Sequence, residues 1–313
     1  MSVRRPSFPP CLASALLALC ALSAAAHGAS NVCIIDDLDD ADGAQVADMD
    51  GDGDPDVAAA SSQYKGRPSK IYWYQRGEGP RDWTRHPIHT GGGLRKVEGI
   101  DAHDVSGDGT PEVFALEQVR GRVLIFGAGP DGPAGHWNMS VLDGTCHRAQ
   151  DSMVADISGD RTPELIYTWE GSEPGTGGVR SLSYEGGPVL DPESWTKTTL
   201  VQHMGAWWLC SSGRLDVNGD GRKDIVFGAR GRNKTPDPGV FWLEAPQTDG
   251  GEWTEHVIDD RLNSAMNLDS GDFDGDGCPG RIERDRHPRD RRDTESGGRP
   301  AQSPAREPNT SPV

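Results

Sequence analysis

Apolar residues in this chain fall in short runs, each cut off by glycine, proline or acidic residues. Val57-Ala58-Ala59-Ala60, Ile71-Tyr72-Trp73-Tyr74, Val123-Leu124-Ile125-Phe126, Ile225-Val226-Phe227 and Val240-Phe241-Trp242-Leu243 are of this kind. They are short for helices and mostly rich in β-branched and aromatic residues, so they predict strands. The runs also keep a phase. Ile71–Tyr74 matches Val240–Leu243, and Trp83-Thr84-Arg85-His86-Pro87-Ile88 resembles Trp253-Thr254-Glu255-His256-Val257-Ile258. Trp137 and Trp195 stand at the same place in the two intervening copies. Each unit reads as strand A, an acidic turn, strand B, strand C with an aromatic, and strand D opening at a tryptophan. Four antiparallel strands per unit predict an all-β fold, a β-propeller of four-stranded blades. The repeated tryptophans are then packing residues between blades, and His86 and His256 are structural.

The turn between strands A and B is the most specific element. Asp48-Met49-Asp50-Gly51-Asp52-Gly53-Asp54-Pro55-Asp56 returns with first aspartates at Asp104, Asp156, Asp216 and Asp272. Carboxylates at positions one, three, five and nine, here Asp48, Asp50, Asp52 and Asp56, suit calcium, and the carbonyl of Asp54 is a fifth ligand candidate. Gly53, at position six, predicts a left-handed residue. An EF-hand is excluded, because position twelve is Ala59 rather than glutamate and the flanks are strands.

These residues resemble the FG-GAP/VCBS repeat proteins, whose propellers resemble the head of integrin α chains. The resemblance covers residues 31–279 and implies calcium in the A–B turn of each blade. It implies no single activity, since adhesion heads, lectins and carbohydrate-active enzymes share the architecture.

The copies are unequal. The second turn offers Asp104, Ser106, Asp108 and Glu112. The fourth offers Asp216, Asn218, Asp220 and Asp224, with Gly221 in place. The third has Asp156, Ser158, Asp160 and Glu164 but Arg161 at the glycine position, which makes it the weakest of the first four. The fifth has Asp272, Asp274 and Asp276, then Gly280 where a carboxylate belongs.

Composition adds the frame. The chain has 313 residues, 41 glycines, 23 prolines and a net charge of −18. So acidic a surface argues against nucleic acid as a partner. Arg4 and Arg5 before the apolar run Cys11–Leu22, with Ala24-Ala25-Ala26 as a cleavage site, make residues 1–26 a secretory signal. The run is too short to span a membrane, and Leu19 before Cys20 speaks against a lipoprotein. The mature protein is thus expected to be secreted, with the propeller over 27–279. Cys33, Cys146, Cys210 and Cys278 either pair in one of three ways or are small buried hydrophobes. Val32–Asp37 resembles the last strand of a unit and predicts an orphan strand beside four complete blades. Residues 280–313, with eight arginines among Pro, Ser and Gly, predict a disordered tail. The resemblance implies a parent propeller of six or seven blades, so a chain with four full blades and one started blade is expected to be truncated or frame-shifted after Pro279; the alternative is a short open arc with a natural basic tail.

Segments leading into strand A differ most between units, as binding loops do. They carry Arg95, Lys96 and Glu98, then His147, Arg148 and Asp151, then His203, Trp207 and Trp208. Both tryptophans lie outside the repeating pattern and are suited to stacking on a sugar. The sequence therefore predicts a calcium-binding module for carbohydrate or extracellular protein. The alternative is a carbohydrate lyase or dehydratase using His147 and His203 with Asp151 or Glu98 as acid and base. No fixed catalytic spacing is present, and no residue is assigned a catalytic role.

Overall fold

The computed structural model describes residues 33–62, 66–171, 176–203, 205–210, 215–230, 238–248, 250–262, 265 and 268–270, with the backbone alone for Trp207. The signal at 1–26, the fifth turn with Asp272, Asp274 and Asp276, Cys278 and the tail at 280–313 lie outside the described residues.

Sixteen strands form four antiparallel sheets, each taken in chain order. The first blade is β1 (Ala41–Ala47), β2 (Asp56–Ser61), β3 (Ile71–Arg76) and β4 (Trp83–His89). The second is β5 (Val97–His103), β6 (Glu112–Glu117), β7 (Arg122–Ala128) and β8 (Trp137–Asp143). The third is β9 (Ala149–Ala155), β10 (Glu164–Trp169), β11 (Gly178–Tyr184) and β12 (Trp195–Gln202), with a 3-10 turn at Pro192–Ser194 before β12. The fourth is β13 (Ala206–Leu209), β14 (Ile225–Ala229), β15 (Gly239–Glu244) and β16 (Thr254–Asp259). The A–B–C–D reading of each unit is the observed order, and three of the four D strands open on the expected tryptophan.

Inner strands pack in series, β1 on β5, β5 on β9 and β9 on β13. Among the described residues no comparable packing brings β13 back to β1. Strand periodicity explains how one blade serves two neighbours. Val113 and Ala115 of β6 point into the core shared with the first blade, while Phe114 and Leu116 point into the core shared with the third. Trp137 joins the first core, Trp195 the second, and Trp253 packs against the third, so the repeated tryptophans do pack between blades. Cys146 and Cys210 are buried apolar residues, and burial pushes the Cys146 thiol up to about 12.

One expectation fails. Cys33–Leu38 forms no strand. Ile34 is 80% exposed, and the segment is held from the side: Tyr74 Oη and Arg85 each donate to Asp36 Oδ2 at 2.9 Å. The described part of the segment gains these side-chain bonds in place of a ladder of backbone bonds.

Candidate metal turns and strand-start face

The four described acidic turns share one hydrogen-bond plan. The first carboxylate accepts from the N–H groups of positions four and six: Gly51 and Gly53 on Asp48, Gly107 and Gly109 on Asp104, Gly159 and Arg161 on Asp156, Gly219 and Gly221 on Asp216. Both positions are left-handed, with φ of 78° and 90° at Gly51 and Gly53. The sequence reading found only the second of them. Arg161 takes φ 80° in the third turn, so the turn forms there despite its side chain. A left-handed L-residue costs about 1–2 kcal/mol and glycine loses about 0.5–1 kcal/mol through unfolded-state entropy. Arg161→Gly is therefore expected to raise stability by roughly 0.5–1 kcal/mol. Denaturant unfolding checks this, and an unchanged or lower midpoint rejects the strain.

Position nine anchors each turn from below. Asp56 accepts from Met49 N–H at 3.0 Å and Arg76 N–H at 2.8 Å, Glu112 from Val105 N–H at 3.0 Å, Glu164 from Ile157 N–H at 2.9 Å, and Asp224 from Val217 N–H at 2.8 Å. Burial raises the pKa of all four carboxyls, and these backbone donors only partly offset it. Burial thus disfavours the ionised form at position nine.

The donor sets differ in convergence. One oxygen each from Asp48, Asp50 and Asp56 lies within 4.8 Å of the others, as do those of Asp104, Asp108 and Glu112. These hard oxygens fit calcium. No such trio is found among the described residues of the third and fourth turns. In the fourth, the Arg222 guanidinium pairs with Asp220 and donates to the Ala245 carbonyl, so one ligand is already taken. Asn218 donates to Asp220 Oδ2 and to Glu244 Oε1. The outer strands reach these turns: Gln75 on Asp50 and Glu244 on Asn218 each touch a histidine, His86 or His256, stacked 4.4 Å over Trp73 or Trp242. Both histidines are thus structural, as the repeat implied.

At the opposite end of the inner strands the structure adds a feature that composition did not reveal. The residue just before each inner strand is left-handed: Asp40 at 56°, Lys96 at 58°, Arg148 at 53° and Gly205 at 98°. Each offers its carbonyl to the N–H of the residue after strand B: Ser62, Gln118, Glu170 and Arg230. Lys96 and Arg148 therefore occupy equivalent places, each with partners at hand. Lys96 reaches Glu98 at 2.7 Å and also Gln118, and Arg148 reaches Glu170 at 2.9 Å. Buried Glu117 takes the Arg95 N–H and the guanidiniums of Arg120 and Arg122. The polar residue after each strand B was the legible signal for this ring.

The other residues of this face divide. The side chains of Arg95 and His147 are exposed. Trp208 is half-buried, and its buried indole N–H has no partner among the described residues. Trp207 is the extra residue of a bulge between Ala206 and Trp208, and its side chain lies outside the described residues. One assignment is corrected. His203 is 7% exposed, wedged against Phe227 and Phe241 with Nδ1 3.0 Å from Glu255, because the chain before β13 turns into the apolar core. Asp151 is half-buried. Its Oδ2 accepts from Leu209 N–H at 2.8 Å, tying β9 to β13. Burial raises it to about 6, and raises Asp101, which accepts from Ser152 Oγ, to about 7.

Comparison with known proteins adds the following. Residues 48–115 match the FG-GAP-like repeat family. No curated protein matches the chain. Among solved structures the chain is similar to an alpha-L-arabinofuranosidase from Lactobacillus brevis, at 15% identity over 72% of this chain and 77% of that one, with a TM-score of 0.41. It is also similar to a variant of Aleuria aurantia lectin in complex with alpha-methyl-L-fucoside, at 12% identity over 68% of this chain and 59% of that one, with a TM-score of 0.39. Among the described residues no helix is long and apolar enough to cross a membrane.

Proposed function

We propose that this chain, an FG-GAP-like repeat at residues 48–115 within a larger set of four-stranded blades, is an exported calcium-binding propeller that serves as a binding module. The observation that carries the calcium reading is the gathering of three carboxylate oxygens within 4.8 Å in each of the turns at Asp48 and Asp104. Asp48, Asp50 and Asp56 would hold one ion, and Asp104, Asp108 and Glu112 another. Such an ion would supply fixed positive charge and a rigid turn, with no chemical step of its own. Carbohydrate is the favoured ligand class, with an extracellular protein second, at the strand-start face. Support comes from the residues that lead into and open the inner strands, where Arg95 and His147 are exposed and the Trp208 ring is half-buried.

A binding module is favoured over a lyase or dehydratase because His203, one half of the acid–base pair such an enzyme would use, is enclosed by Phe227, Phe241 and Glu255. A glycan array in calcium tests the reading. Binding is expected without release of reducing or unsaturated sugar, and Trp208→Ala with Arg95→Ala is expected to abolish it. Product release, or unchanged binding by that double variant, defeats it.

A further inference from the structure

Between the third and fourth blades, at the end where the acidic turns lie, is a cavity of about 370 Å³. Its size falls in the roughly 300–1,000 Å³ range of small-molecule sites. It lies at the turn end, so it is separate from the strand-start face and does not rest on what binds there. We propose that this cleft is a binding site for one neutral saccharide unit, with the Trp253 ring as its platform.

The cleft exists because the third blade breaks the side-chain pattern of its neighbours. Strand pairing puts Trp73, Ile125 and Ser181 at one equivalent place in β3, β7 and β11, and Gln75, Gly127 and Ser183 at another. Across from them on the D strands stand His86, Ser140 and Thr198. In the first blade this place holds an indole stacked on an imidazole, and Trp73 Nε1 donates to the Pro133 carbonyl of the next blade at 2.9 Å. That contact closes the first interface. At the second interface Leu190 packs onto Gly127, where an added Cβ would meet its side chain at 3.4 Å. At the third, Ser181, Ser183 and Thr198 are all short and hydroxylated, and the space stays open.

The lining is suited to a sugar. Trp253 and Leu200 offer apolar surface, and Ser181, Ser183 and Thr198 line the same cleft. None of those hydroxyls is engaged by another described side chain. Trp137 and Trp195 spend their indole N–H groups on the carbonyls of Pro133 and Val189 in their own loops. Trp253 makes no such bond to a described residue, which leaves a donor at the platform edge. Lys223, half-buried and without an ion pair among the described residues, lines the cleft together with Asp156. Asp156 and Glu164 line the cleft together with Arg222 and Lys223, so an ionic ligand of either sign would meet like charge. A neutral polyol can donate to Asp156, accept from Lys223 and lay its C–H face on the indole.

The test titrates the full chain, in calcium, with methyl glycosides of neutral pentoses and hexoses, read by heat and by tryptophan fluorescence. At least one glycoside is expected to bind at millimolar concentration or below. Ser181→Trp, which installs the first blade's residue, is expected to abolish that binding. Ser183→Ala with Thr198→Val removes two hydrogen-bonding groups without adding bulk and is expected to weaken it roughly tenfold. The Arg95→Ala, Trp208→Ala variant disables the strand-start face and is expected to retain the cleft's share of glycoside binding, which Ser181→Trp added to it then abolishes. No binding by any glycoside, or parent-like binding by the Ser183/Thr198 variant, overturns the cleft site. Loss of binding in the Arg95/Trp208 variant alone would assign the sugar to the strand-start face and overturn the cleft site while supporting the module.

Discussion

Chelating calcium with EDTA is expected to lower the melting temperature of this protein by about 10–20 °C. The reasoning is mass action. An ion that binds only the folded state contributes about 2.7 kcal/mol when its concentration is near 100 times its Kd. The two turns with converging oxygens, at Asp48 and Asp104, would together contribute roughly 5 kcal/mol, and each kcal/mol is worth about 2–4 °C in a domain of this size. Magnesium is expected to rescue poorly, because it demands octahedral geometry and gives up water reluctantly. Single substitutions locate the effect. Asp48→Asn is expected to remove one ion and about half of the shift. Asp216→Asn is expected to do less, because Asp220 in that turn is already paired with Arg222. The measurement is a set of melting curves in calcium, magnesium and chelator, with ion stoichiometry by calorimetry. Coincident curves would mean that the acidic turns are solvated hairpin loops closed by their own N–H groups.

The second large effect is an opposite response to pH, carried by Asp101 and Asp151. Both sit on inner strands with burial as the main cause of their raised pKa, Asp101 to about 7 and Asp151 to about 6, and the Asp151 charge pushes Asp101 further. The groups around them are hydrogen-bond donors, Ser152 Oγ and N–H and Leu209 N–H, and no ion pair to either appears among the described residues. A carboxyl with a folded pKa above its unfolded 3.8 binds its proton more tightly when folded. Its stabilisation is complete below the unfolded value and is lost as pH rises through 6 and 7. Stability is therefore expected to fall between about pH 4 and pH 8, by several kcal/mol at the rate of about 1.4 kcal/mol per unit of pKa difference. Asp101→Asn keeps the shape and cannot ionise. It is expected to flatten the pH dependence and to melt several degrees above the parent at pH 8 while matching it at pH 4. Parallel curves for parent and variant would show that Asp101 is not the group responsible. The comparison is made at saturating calcium, so that ions expected in the turns would hold their carboxylates ionised.

How much of this was legible in the chain depends on whether a feature is local and repeated. The acidic turn, the strands around it and the tryptophan opening strand D were all readable, because each follows from residues adjacent in sequence and appears in several copies. The turn closes on its own N–H groups, so a first aspartate and two left-handed positions specify it wherever they recur. Even the third turn, with Arg161 in the glycine place, keeps its path, since the carboxylate of Asp156 and the anchor Glu164 outweigh one strained residue.

What the sequence left open was decided by contacts between blades. His203 reads as a loop histidine, yet Phe227, Phe241 and Glu255, all from the fourth blade, enclose it. Asp151 reads as an acid of the segment before strand A, and the structure adds that it takes an N–H from β13. Cys33–Leu38 has the pattern of a strand, yet a strand needs a neighbour with free backbone groups, and Asp36 is held by Tyr74 and Arg85 instead. The cleft between the third and fourth blades has no local signature at all. Ser181, Ser183 and Thr198 are ordinary strand residues until pairing places them where Trp73, Gln75 and His86 fill the first blade. Period-two patterning and turn chemistry fix a blade from within, because they act over a few residues. Which side chains meet across an interface depends on how one twisted sheet lies on the next, and residues 50 or more apart in sequence encode that only jointly.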